Sequence, residues 1–99
     1  MEIECIQYRP TNVGAFVGFA DLYIKNLGIE IYGCTVYSKD GKRWVNLPVR
    51  AYKGKDGEEK YAKVVRFREK EDFREFYTLA KDAVDRYTMA QAVSDGQPN

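Results

Sequence analysis

AFVGFADLYIKNLGIEIYGCTVYS, residues 15–38, decides the architecture. From Ala15 to Lys25 the even positions Phe16, Gly18, Ala20, Leu22 and Ile24 form one apolar face. The odd positions Val17, Phe19, Asp21, Tyr23 and Lys25 form a mixed one. A period of two is the mark of a strand with one face against a core. Asn26-Leu27-Gly28 is a turn signal, with a glycine able to take positive φ. Ile29–Ser38 then runs through β-branched and aromatic residues, which favour a second strand. The stretch is therefore an antiparallel hairpin. Gly18 and Ala20 leave room on its apolar face for a bulky neighbour, and a C-terminal helix is the natural one.

Working outward, Glu2–Tyr8 alternates until Ile6 falls out of phase, which predicts a first strand carrying a bulge. Arg9-Pro10-Thr11-Asn12 and Gly14 are expected to break it. On the other side, Lys39-Asp40-Gly41-Lys42 contains the Asp-Gly pair suited to a type I′ turn, and Arg43–Leu47 follows as a strand. Pro48 means that this strand ends there or lies at an edge. Gly54–Glu59 is a polar hairpin loop, and Lys60–Phe67 is the last strand. Val64 and Val65 are adjacent, so the pattern leaves open which face of that strand points outward. Lys60 and Arg66 would share one face and Lys63 would take the other.

Glu69 to about Ala90 predicts one helix. Phe73, Phe76, Tyr77, Ala80, Ala83, Val84 and Tyr87 follow helical spacing and form an apolar stripe expected to be core. Acidic residues crowd its first turns, where they favour the positive end of the helix dipole. Asp72 and Glu75 have capping-box spacing, with Asp72 either at the cap or already inside the helix. The expected fold is α+β: an antiparallel meander of about five strands with one long C-terminal helix packed on the sheet. It forms a single domain over residues 1–93, followed by a polar, disordered tail over residues 94–99.

Composition narrows the function. At 99 residues and 44% hydrophobic content, the chain is one folded domain with a modest core that dimerisation would enlarge. Cys5 and Cys34 lack metal-ligand spacing and sit in strand-like runs, so they are expected as small buried hydrophobes. There is no histidine, the usual general base and commonest metal ligand. There is also no nucleophile elbow and no phosphate-binding glycine loop. No enzyme activity, cofactor, metal or small-molecule substrate is expected; the remote alternative is a hydrolase or transferase using the helix carboxylates, although these are interspersed with Lys and Arg at solvated spacing. No apolar run approaches the roughly 18 residues that cross a bilayer, so no membrane association is expected either. The opening MEIECIQYRP does not resemble a signal peptide, and a cytoplasmic location is expected.

The charge is segregated. Lys39–Arg68 holds ten basic and four acidic residues, a surplus of six positive charges, while the rest of the chain has a surplus of five negative ones. Clustered Lys and Arg attract phosphates whatever the base sequence, and aromatics can stack unpaired bases. Arg50, Lys53, Lys55, Lys60 and Lys63 are the candidate phosphate contacts, with Trp44, Tyr52 and Tyr61 stacking on bases or supporting the patch. The plainer alternative is a solvated hairpin whose lysines guard a sheet edge against aggregation. Phe19 and Tyr23 fit either a binding surface or core and dimer contacts. A third alternative is a protein-interaction module that recruits its partner through a strand edge or this aromatic face.

Four short stretches resemble the SpoVG septation-protein family. Ile6-Gln7-Tyr8-Arg9 followed by Asn12 resembles its first strand, and Ala20–Ile24 through Ile29–Tyr32 its central hairpin. Gly41–Arg50, ending Val45-Asn46-Leu47-Pro48-Val49-Arg50, is similar to its aliphatic-x-Met-Pro-Ser-Lys/Arg segment. Lys55-Asp56-Gly57-Glu58 is similar to its Pro-Asp-Gly-Glu loop. The chain departs from the pattern at Val49, which replaces a small polar residue. It departs again at Lys63-Val64-Val65-Arg66, where the family has His-Pro, and in a longer helix and tail. The resemblance implies a small antiparallel sheet with a C-terminal helix and a homodimer built partly by strand pairing. It also implies binding to DNA or RNA that regulates gene expression, with Arg50 as the basic position it carries over. Strand type, DNA against RNA, and the dimer interface stay open at this level.

Overall fold

A computed structural model gives the fold, describing the backbone of residues 1–96 and the side chains of residues 1–92. Strands β1 (Ile3–Val13), β2 (Phe16–Ile24), β3 (Ile29–Lys39) and β4 (Lys42–Asn46) form one antiparallel sheet in sequence order. Strands β5 (Val49–Lys53) and β6 (Glu59–Lys63) pair only with each other, and α1 (Lys70–Gly96) follows. The architecture is the expected α+β meander and helix, with six strands divided four and two. The division falls at Pro48. Without an amide hydrogen, it cannot continue the ladder.

The turn chemistry performs as the residues dictate. Asp40 and Gly41 both take positive φ, 53° and 78°, as a type I′ turn requires. Ile24 O accepts the Gly28 N–H at 2.9 Å and closes the preceding turn.

Helix α1 covers one face of the four-stranded sheet and approaches both of its edge strands, β1 and β4. The core between them comprises Ile3, Cys5, Ala20, Leu22, Ile24, Cys34, Val36 and Val45 from the sheet and Phe76, Ala80, Ala83 and Val84 from the helix. Both cysteines are free and buried, as expected. Loss of hydration pushes the Cys5 thiol up to about 11 and the Cys34 thiol up to about 12.

Several expectations are corrected. The first strand does not break at Arg9–Asn12. It continues through Pro10 to Val13, with an irregularity between Pro10 and Val13, because β1 is an edge strand and tolerates a residue that cannot donate. The bulky neighbour above Gly18 is the Tyr8 ring from β1, so close that a Cβ at residue 18 would overlap it. Tyr8 Oη donates to Val17 O at 2.9 Å.

Helix α1 runs past Ala90 to Gly96, so residues 94–96 of the expected tail are helical and residues 97–99 lie outside the described chain. Of the two places open to Asp72, the structure takes the one inside the first turn. The carbonyl of Glu69, just before the helix, accepts the first N–H, from Phe73 at 3.1 Å. Phe73 is not core. It is 40% exposed, while Phe67, from the loop before the helix, packs against Phe76 with ring centroids 5.2 Å apart.

Bulges set the shape of the sheet. Ile6 is the extra residue between the pairs Cys5–Leu22 and Gln7–Asp21, as its phase predicts. On the other side of β2, Tyr32 and Gly33 are both accommodated between the pairs Leu22–Ile31 and Ala20–Cys34. Both neighbours of Asp21 therefore bulge. A third bulge lies between Phe16 and Gly18 and reverses the parity of the strand. Phe16 turns to the face away from the helix, and Val17 packs against the core instead.

Candidate nucleic-acid interface

Two features build the β5–β6 ribbon: Pro48 ends one sheet, and the polar loop 54–58 turns the chain back on itself. Within that loop, Glu58 O accepts the Gly54 N–H at 2.9 Å, Gly54 O accepts the Gly57 N–H at 3.0 Å, and Asp56 Oδ1 accepts the Glu58 N–H at 3.1 Å. The pairs are Val49–Lys63, Arg50–Ala62, Ala51–Tyr61, Tyr52–Lys60 and Lys53–Glu59. Residues directly opposite share a face, and faces alternate along a strand.

That register sorts the candidate residues. Arg50, Tyr52 and Lys60 share one face of the ribbon. Lys53, Tyr61 and Lys63 share the other, with Val49, Ala51 and Glu59. Lys55 sits in the loop at the tip, and the Lys60 side chain lies over Gly54. Among the described residues, none of these five cations makes an ion pair. Every ribbon residue except Ala62 is exposed, including Tyr52 and the 63%-exposed Tyr61. Strand β6 stops at Lys63, so Val64, Val65 and Arg66 lie beyond it, and the face-sharing expected of Lys60 with Arg66 does not arise.

The contiguous basic stretch is divided in space. Lys39, Lys42 and Arg43 belong to the β3–β4 hairpin rather than to the ribbon. Arg43 is committed elsewhere: its Nη1 donates to Asp85 Oδ1 at 3.0 Å and to Thr88 Oγ1 at 3.2 Å, which ties β4 to the helix. Lys81 Nζ meets the second oxygen of Asp85 at 2.7 Å. Burial raises the Asp85 pKa, but the hydrogen bonds from Lys81 and Arg43 outweigh it, and the carboxyl ends below its ordinary value.

Trp44 is also apart from the ribbon. It stacks on Tyr37, its cross-strand neighbour, with centroids 5.6 Å apart and planes 13° from parallel. Tyr37 in turn meets Phe16 at 5.5 Å, and Phe16 meets Phe19 edge-on at 5.0 Å. A row of aromatics thus crosses the face of the sheet opposite the helix. Phe19 belongs to it, and Phe16 and Tyr37 are members that parity alone did not single out. The Arg9 guanidinium lies 6.0 Å from the Phe19 ring centre. The one sequence signal for the row was the apolar run Phe16-Val17-Gly18-Phe19, which offers two aromatics to whichever face the strand presents.

Arg9 is held in place by Asp21, which is 8% exposed. Arg9 donates through Nη1 to Oδ2 at 2.9 Å and through Nη2 to Oδ1 at 3.2 Å, and Oδ1 also accepts the Gly33 N–H at 2.9 Å. Gly33 has φ 78°, the left-handed conformation that glycine adopts without strain, and this turns its amide toward the carboxylate. The Arg9 hydrogen bond lowers the Asp21 pKa despite burial, and the Gly33 amide adds to the effect.

Compared with models of protein families, with curated proteins and with solved structures, the chain has no match.

Proposed function

We propose that this protein is a homodimeric nucleic-acid-binding regulator whose β5–β6 ribbon contacts phosphates with low sequence specificity. The observation that carries the proposal is a ribbon bearing Arg50, Lys53, Lys55, Lys60 and Lys63, exposed and without ion pairs among the described residues. Such cations release counterions when they meet a phosphate backbone. Carboxylates at the tip, Asp56, Glu58 and Glu59, moderate the field but leave the ribbon positive. The resemblance to the SpoVG septation-protein family supports the same activity and a cytoplasmic role in gene regulation. No helix among the described residues is long and apolar enough to cross a membrane.

The test is fluorescence anisotropy with labelled DNA and RNA at low and physiological salt. Binding that weakens log-linearly with salt is expected, together with its loss in the Lys53→Glu, Lys55→Glu, Lys60→Glu triple variant. That variant should keep the circular dichroism of the parent. Unchanged affinity in the triple variant would remove the ribbon from the interface.

A protein-interaction role is the second reading. It is favoured by the exposed Val49, Tyr52 and Tyr61 on a ribbon whose strands pair only with each other. It requires salt-insensitive capture of a protein by strand addition and no affinity for nucleic acid.

A further inference from the structure

The ribbon does more than present charge. Its Val49–Tyr61 face looks toward the aromatic row of the main sheet, and the two enclose a pocket of about 510 Å³. Phe16, Phe19 and Tyr37 form one wall, and Val49, Ala51 and Tyr61 form the other. Thr35 and Asn46, cross-strand neighbours on β3 and β4, add a hydroxyl and an amide to the lining. A second pocket of about 360 Å³ adjoins it, sharing Asn46, Leu47 and Val49, and carries Lys63, Arg66 and Phe73. The two make one track across the root of the ribbon. Its charged lining consists of Lys63 and Arg66, and no carboxylate lines either pocket among the described residues.

We infer that this track holds a single strand of nucleic acid, with an unpaired base among Phe19, Tyr37 and Tyr61 and the backbone phosphates on Lys63 and Arg66. The inference rests on the proposed nucleic-acid binding and narrows it to strand type. Charge selects the occupant: an anionic chain meets two cations and no carboxylate in the lining. The aromatic wall selects its form, because a π-face is free for stacking only when the base has left a duplex. Thr35 and Asn46 offer hydrogen bonds to the base edge. On this arrangement the opposite face of the ribbon, with Arg50, Tyr52 and Lys60, adds phosphate contacts from outside the track.

The experiment compares labelled single-stranded DNA, single-stranded RNA and duplex DNA of about a dozen nucleotides, a length within the range of single-strand sites. Each single strand also carries an internal 2-aminopurine, whose fluorescence falls on stacking. Tighter binding of a single strand than of duplex is expected, with quenching of the 2-aminopurine. The Tyr61→Ala variant, altered at an exposed side chain, should weaken single-strand binding about tenfold, as loss of one stacking contact does, and weaken duplex binding by much less. The DNA and RNA arms show which sugar is preferred. Equal or tighter duplex binding with no quenching would overturn the single-strand track while leaving the nucleic-acid function standing. Absence of binding to all three probes would overturn both. A Tyr61→Ala protein that loses self-association but keeps its strand affinity would assign the pocket to a second copy and also overturn the inference.

Discussion

Asp21 occupies the middle of β2, where a charge is costly unless it is fully partnered. Three hydrogen bonds meet that need, two from Arg9 and one from the Gly33 amide. The bulges at Ile6 and at Tyr32–Gly33 are what allow those donors to converge. Because the folded pKa of Asp21 is depressed, its contribution to stability is full above the ordinary carboxylate value of about 3.9. It is lost as pH falls through the lower folded value. The Asp21→Asn variant should therefore be less stable at pH 7 by about 1 kcal/mol, a modest figure because the Arg9 side chain is half exposed. In urea melts the deficit should shrink at the acid end of the range, where the wild-type carboxyl is protonated. A deficit equal at neutral and strongly acid pH would show that the ionised form is not what matters.

The elements differ in how much local pattern determines them. The β2–β3 hairpin, the Asp40-Gly41 turn and the helix follow from periodicity and turn residues. Ile6 even betrayed its bulge, because one apolar residue fell out of phase. The bulge after Phe16 gave no such sign. Phe16, Val17 and Phe19 are all apolar, so either parity satisfied the pattern. The aromatic row was hidden for that reason. Arg43 was hidden for another, since its partners Asp85 and Thr88 are 42 and 45 residues away, and a local charge count cannot see them. The link they make between β4 and α1 is measurable. A double-mutant cycle on Arg43→Ala and Asp85→Ala should yield a coupling of about 0.5–1 kcal/mol, since both side chains are partly shielded from water. A coupling of zero would mean that this ion pair contributes nothing to docking the helix.

At the scale of the molecule, the shape is unusual for its length. The radius of gyration is 15.0 Å, against about 13 Å for a compact chain of 100 residues, and the long dimension reaches 55 Å. A long helix and a ribbon outside the main sheet account for the excess. A two-stranded ribbon is marginally stable alone in water, and this one leaves Tyr52 exposed on the face away from the track, with Val64 just beyond it. Both facts support a second copy of the chain as a partner. Sedimentation across a range of concentrations should give the mass of a dimer, and a strictly monomeric mass would remove dimerisation from the proposal. Pro48 marked where the fourth strand would end or lie at an edge, but not that the next strand would leave the sheet. The ribbon's residues pair as the loop predicts, but nothing local states that β4 and β5 fail to pair.

Cys5 and Cys34 give the sheet a built-in clock. Each is buried in the layer under the helix, and that burial raises its pKa, so neutral solution offers an alkylating reagent almost no thiolate to attack in the closed molecule. Modification of Cys34 must wait for the helix and sheet to part, whereas Cys5 also borders a surface pocket beside Arg86 and Tyr87 and needs a smaller opening. Because Cys5 lies on an edge strand and Cys34 on an interior one, labelling at the two positions would time the fraying of the margin and the opening of the middle as separate events.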